Sequence, residues 1–464
     1  MILNNISKIY TISIYAIFAI IASMIWLINP ELPFETMQQS MGIGYDIIIY
    51  LLLWSPIIIL FTNNSSLSKD IFYDLFITFA TAIMIISLFH STRTGINITT
   101  IYVLLCIIVG VILKKQHAPQ PYFYIYIAYF IISAISIIWS NDKQYGLNIL
   151  MRSTLWLTMP LAFCFINIKQ SEYTRLLKIA YFAATIFVLI SIITWIYQVR
   201  QLETGFAIWF LPGKHGVNDI TVYTLIFKWL DYDHPSYNAI GVIFGLIAGL
   251  YLYKQKEISL FNLILFSCLS FILVWITQSR IGIIMFVATF ILCPYMFIKT
   301  KQQFLIFSSI LFVCGLCVTY ILFGYLGNYF HIDEERAYMF PLYAECIKKV
   351  PILGVGLGGM NPENILNLTG EPYKFLQYDH IYPHNQFLGD WMQTGIFGFL
   401  CLLAIISYNF YISIKRNNII LFIFMANMLL FMIIEMPFYI LKGTTFFVCI
   451  TCFLLSQDPK SDTD

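Results

Sequence analysis

The chain has 464 residues, 59% of them hydrophobic, and a mean hydropathy of +0.79. Only 11% are charged, against about 25% in an ordinary soluble domain, which is too few to cover a water-facing surface. With 26 Lys and Arg against 24 Asp and Glu, no basic face of the density that nucleic acid requires is available. These proportions exclude a soluble enzyme and a nucleic-acid-binding protein, and they predict an all-α, polytopic integral membrane bundle.

About 20 mostly apolar residues cross a bilayer as a helix. Such runs fall near 9–29, 45–62, 71–90, 97–113, 121–140, 153–168, 177–198, 236–253, 260–277, 281–298, 304–326, 392–413, 418–436 and 438–455. The sixth is short enough to be re-entrant and the last two lie close together, so about twelve to fourteen spans are expected. They form a single membrane domain, 1–464. The first run follows Lys8 without a small-residue cleavage site and reads as a retained anchor. Basic residues collect in alternate connections: Lys69, Lys114 and Lys115, Lys169 and Arg175, Lys254 and Lys256, Lys299 and Lys301, Lys415 and Arg416. By the positive-inside tendency these connections and both termini are cytoplasmic. Two long polar loops, 199–235 and 327–391, then face the opposite side. Cysteines with CxxC spacing, Cys314/Cys317 and Cys449/Cys452, sit inside apolar runs and read as small apolar filler.

In the second loop Asp333, Glu334 and Glu335 suit the first turn of a surface helix headed by Arg336 and stopped by Pro351. Gly354, Gly356, Gly358 and Gly359 follow. No strand precedes them, so they are not a dinucleotide fingerprint; they predict either a flexible turn or an anion-holding nest of N–H groups. The loop closes on His384-Asn385, nine residues, then Gly395-Ile396-Phe397-Gly398.

This H-N-x9-G-x-x-G pattern resembles that of the bacterial O-antigen ligase and O-antigen polymerase superfamily. Three other segments are similar to it: Arg336 heading a helix before the Pro351-Ile-Leu-Gly-Val-Gly-Leu-Gly turn, Thr277-Gln-Ser-Arg280-Ile-Gly282 at a span end, and Trp139-Ser-Asn-Asp142. The resemblance implies a helical membrane fold related to other lipid-linked (GT-C-like) glycosyltransferases, in the bacterial inner membrane. It implies transfer of a glycan from undecaprenyl diphosphate at the periplasmic face, without a metal ion or other cofactor. The acceptor is the lipid A-core for a ligase, the first reading, or another repeat unit for a polymerase, the alternative. A protein O-oligosaccharyltransferase is a more distant third. The family's two arginines and its histidine carry onto Arg280, Arg336 and His384.

Residue chemistry agrees with those roles. Guanidinium groups are always charged and bind phosphate oxygens in a bidentate fork, which suits a diphosphate leaving group. A histidine can accept the proton of an incoming sugar hydroxyl, and direct attack by that hydroxyl inverts the anomeric carbon. Taken singly, Arg280 also fits a residue snorkelling to lipid headgroups, Arg336 a solvated loop charge, and His384 or Asn385 a helix cap. Further candidates for substrate contact are Asn385 and Glu435, His234 and Tyr237 along an acceptor or donor groove, and Lys214 and His215 at phosphate. Glu435 is expected to pair with an arginine or with Lys442. Tyr382 and Trp391 suit sugar stacking or the interfacial aromatic belt. A transporter or lipid-glycan flippase would instead place ionisable residues in mid-span, whereas the suspects here gather at span ends.

Overall fold

The computed structural model describes residues 55, 69–89, 92–114, 117–166, 168–199, 235–277, 279–297, 302–303, 306, 334–370 and 382–456. The run expected at 9–29, all but residue 55 of that at 45–62, all but residue 306 of that at 304–326, and residues 200–234 lie outside the described residues. What is described is helical, with no strand among the described residues. In chain order the α-helices are α1 (Lys69–Ser87), α2 (Thr92–Ile112), α3 (Pro121–Ser136), α4 (Lys143–Arg152), α5 (Leu155–Phe163), α6 (Gln170–Val199) and α7 (Pro235–Lys254). They continue as α8 (Leu260–Ile276), α9 (Arg280–Leu292), α10 (Glu334–Lys349), α11 (Pro362–Thr369), α12 (Gln386–Lys415), α13 (Ile419–Ile434) and α14 (Leu441–Leu455).

The protein is a polytopic helical membrane protein. Among the described residues five segments are long and apolar enough to cross a bilayer: Gly95–Ile112, Pro121–Trp139, Gln170–Ile193, Ser236–Lys254 and Gln386–Lys415. Shorter apolar helices accompany them. The run expected at 153–168 yields only the nine residues of α5, with Pro160 inside it. At 1.5 Å per residue that is roughly 14 Å, less than half of a hydrocarbon core about 30 Å thick.

The chain divides into two compact units. One comprises Met1–Ile108, Asn167–Phe286 and Pro459–Asp464, the other Val109–Ile166 and Val287–Asp458. In the first, α6 packs against α1, α7 and α8. Charged side chains gather at one end, where Lys169 meets Asp74, Lys178 meets Glu257, and Arg175 lies 3.0 Å from Glu172. At the opposite end of α7, Ser236 and Ser279 approach at 3.5 Å between hydroxyl oxygens, joining the starts of α7 and α9.

The second unit is built around Trp156 on α5, which is fully buried. Tyr126 and Tyr129 of α3 pack on its indole at 5.1 and 5.0 Å, with Phe438 and Phe447 at 4.9 and 5.6 Å. The edge-on arrangements suit the quadrupoles of the rings. A short chain of polar groups runs through this apolar bundle: Asn409 of α12 donates to the Tyr126 hydroxyl at 3.0 Å, and that hydroxyl donates to Thr451 of α14 at 3.3 Å. A second buried cluster, with Met339, Tyr343 and Cys346 of α10 beside Met392, Met436 and Tyr439, seats the surface helix on the bundle.

Candidate active site

The geometry begins at a break in α12. Gly395 adopts φ 66°, ψ −163°, a conformation open in practice only to glycine, and interrupts the helical ladder. The turn after α10 repairs the break. Val355 N donates to Met392 O at 2.8 Å, Gly356 N to Gln393 O at 2.9 Å, and Ile396 N to Pro351 O at 3.0 Å. Further along, Leu357 N donates to Ser136 Oγ and Gly358 N to Gln393 Oε1, each at 3.1 Å. Gly354 N and Gly359 N donate to Val350 O and Gly356 O. Every N–H from Gly354 to Gly359 is therefore spent inside the protein. The glycine cluster is neither a loose turn nor a nest of free donors; it is a wedge that fixes α10 to α12. Two indoles pin its rim, Trp391 donating to Pro351 O at 3.0 Å and Trp139 to Leu353 O at 3.2 Å.

His384 sits at the start of the same helix. Its backbone is left-handed, with φ 46°, a conformation uncommon outside glycine. Its Nδ1 lies 3.2 Å from Glu435 Oε2. The carboxylate is nearly buried, with 8% of its side chain exposed, whereas the imidazole keeps 36%. An ionised carboxylate only accepts hydrogen bonds, so beside one a neutral imidazole donates from Nδ1 and carries its lone pair on Nε2. One histidine nitrogen is thus held and the other is free to take a proton.

The two residues after His384 hold the chain on either side of Glu435. Asn385 caps α12, its Oδ1 accepting from Leu388 N at 3.0 Å, while its Nδ2 donates to Ile433 O at 3.0 Å. Gln386 accepts from Phe438 N at 2.9 Å and donates to Asp390 Oδ1 at 2.8 Å. Asp390 in turn accepts from the Tyr129 hydroxyl at 2.7 Å.

Beside this pair, Tyr382 hydrogen-bonds Tyr145 hydroxyl to hydroxyl and packs edge-on against Tyr439 at 5.7 Å. Burial raises the Tyr145 phenol, opposed by Arg152 and reinforced by Asp142. Tyr145 belongs to α4, a helix started by Asp142, whose Oδ1 accepts from Tyr145 N at 2.9 Å.

The remaining candidates are distributed as follows. Arg336 lies in the first turn of α10, one turn before Met339, in the same unit as His384. Arg280 is the first residue of α9 in the other unit, exposed, behind a cap in which Ser279 Oγ accepts from Gly282 N at 3.1 Å. Tyr237 is buried in the first turn of α7, in that same unit. Lys214, His215 and His234 lie outside the described residues, as does His380. Glu435, expected on an arginine or Lys442, is placed on His384. The sequence also contains two D-x-D spacings, Asp231/Asp233 and Asp462/Asp464, both outside the described residues.

Gln386, Asp390 and Tyr129 were not singled out from the sequence. Asp390 left one signal there: it is the one acid in the 30 residues of α12. An ionisable group within an apolar span is expensive unless paired, so it is a candidate by default.

Residues 263–403 match the model of the family Wzy_C, O-antigen ligase. That stretch, less than a third of the chain, is what is similar to the O-antigen ligase and polymerase superfamily. Members of that family are glycosyltransferase-like enzymes. The matched stretch includes Arg280, Arg336, His384 and both glycines of the G-x-x-G pair, and it ends before Glu435. A search of curated proteins found no matching relative.

Proposed function

We propose that the protein is an O-antigen ligase, an inverting and metal-independent glycosyltransferase. It moves a glycan from undecaprenyl diphosphate to lipid A-core oligosaccharide at the periplasmic face of the bacterial inner membrane, with both termini in the cytoplasm. The observation that carries this reading is the approach of His384, which lies inside the stretch that matches the O-antigen ligase family, to Glu435, which lies beyond its end, at 3.2 Å.

The acceptor hydroxyl oxygen attacks the anomeric carbon on the face opposite the diphosphate. The bond from that carbon to the phosphate oxygen breaks, and its electrons leave with undecaprenyl diphosphate. The hydroxyl proton passes to His384 Nε2. Glu435 keeps the imidazole in the tautomer that can accept this proton and stabilises the imidazolium that results. Arg280 and Arg336 neutralise the charge that develops on the diphosphate, the kind of electrostatic work worth about 10²–10³ in rate per donor. Lys214 and His215 add phosphate contacts, and His234 and Tyr237 line the acceptor groove. Asn385 serves the site by holding its neighbour His384 in place. Tyr382 and Tyr145 offer hydroxyls to sugar.

The test is transfer by purified protein in proteoliposomes, with the polyprenyl-diphosphate glycan that accumulates in a deletion strain as donor. Glu435→Leu should cut the rate at least about tenfold without weakening donor binding, because the base loses its tautomer and orientation. An unchanged rate would remove the pair from the chemistry. Single-repeat chains on the surface of the deletion strain, in place of unligated polymer, would assign the polymerase reaction instead.

A further inference from the structure

Resting on the reading of His384 as the base, we propose that Gln386, Asp390 and Tyr129 are positioning residues that fix Glu435 against His384. The geometry is a two-point clamp. Asn385 grips Ile433, two residues before Glu435, and Gln386 grips Phe438, three residues after it, at 3.0 and 2.9 Å. Both grips come from the residues that follow His384, so the histidine and its carboxylate are referenced to one rigid helix start.

Asp390 decides whether the second grip can form. The Phe438 N–H only donates, so the Gln386 amide must turn its oxygen there and its Nε2 away. In a fully buried side chain that Nε2 needs an acceptor, and Asp390 Oδ1 supplies it at 2.8 Å. The other carboxylate oxygen is held by Tyr129 at 2.7 Å, which anchors the group to α3. Gln386 is 0% exposed, Asp390 3% and Tyr129 6%, so water cannot substitute for a missing partner. None of the three touches the reacting atoms in this account; they act through Glu435.

The test uses full-length protein labelled with 15N-histidine in nanodiscs at pH ~8.5, above the ordinary histidine range. The His384 ring signal is assigned by its loss in His384→Gln, and Glu435→Leu gives the signal of a ring without its carboxylate. Wild type should show a single tautomer protonated at Nδ1. Gln386→Leu and Asp390→Leu should move the signal toward that of Glu435→Leu. Asp390→Asn should keep the wild-type signal, since its amide can still accept from Gln386 and donate to the Tyr129 oxygen. In transfer assays the two Leu variants should lose about ten- to a hundredfold in kcat, the cost of a small misplacement, with donor KM nearly unchanged. Wild-type tautomer signals in Gln386→Leu and Asp390→Leu would overturn the proposal, and so would Asp390→Asn behaving like Asp390→Leu. If Asp390→Leu does not give monodisperse protein, Tyr129→Phe, which removes one hydroxyl, is judged by the same signal. The tautomer is read without donor, so the two readings separate: normal transfer by His384→Ala beside a clamped wild-type ring would refute the base and spare the clamp.

Discussion

His384 and its neighbours show how much chemistry a motif encodes and where it stops. The histidine, the arginines and the asparagine stand out in the sequence because their spacing resembles a family pattern and their chemistry suits a diphosphate leaving group. The partner of His384 does not, since Glu435 lies 51 residues away and meets it only once α13 has returned the chain beside the start of α12. At this scale the account predicts that His384→Ala abolishes transfer while protein level and membrane insertion, followed by immunoblot of membrane fractions, stay as in wild type. Arg280→Lys and Arg336→Lys each keep the charge but lose the planar fork. Each should fall at least about tenfold in kcat/KM, because a point charge does not reproduce bidentate phosphate contact. Full activity in either variant would return that residue to the role of an interfacial anchor.

Helix starts and stops were largely readable from composition, since apolar runs of spanning length bounded by Asn, Asp, Pro or basic residues mark them. Cap geometry shows why: Asn385 and Asn418 each accept from the N–H three residues on, at 3.0 Å. Two features were not readable. Hydropathy left residues 153–168 open between a span and a re-entrant segment; among the described residues only Leu155–Phe163 is helical there, with Trp156 buried in the aromatic cluster. The glycine turn could be read as loose or as a nest, and only the break at Gly395 reveals which acceptors its N–H groups meet. That break is testable. A Cβ on Gly395 would lie 2.0 Å from Ile352 O, on a backbone with φ 66°. Gly395→Ala should cost about 1–3 kcal/mol or more, seen as a lower midpoint of thermal unfolding in detergent. An unchanged midpoint would mean that the α10 turn does not depend on the kink.

At the scale of the molecule, scarcity of charge was the first observation, and it excludes a soluble protein while making each remaining ionisable group informative. In such a chain Asp390 and Glu435 are buried and hydrogen-bonded, as ionisable groups in an apolar bundle must be. With arginines in place of a metal, transfer by the purified protein should persist in excess EDTA. Loss on chelation with recovery on adding a divalent cation would transfer the role to an acidic pair such as Asp231/Asp233. The central claim, His384-dependent transfer of a lipid-linked glycan, is tested most directly by complementing a deletion strain and separating its surface glycans on a gel. Wild-type protein should restore long chains on lipid A-core, and His384→Ala should leave the polymer on its polyprenyl diphosphate carrier. Long chains restored by His384→Ala, expressed at the wild-type level, would contradict the account.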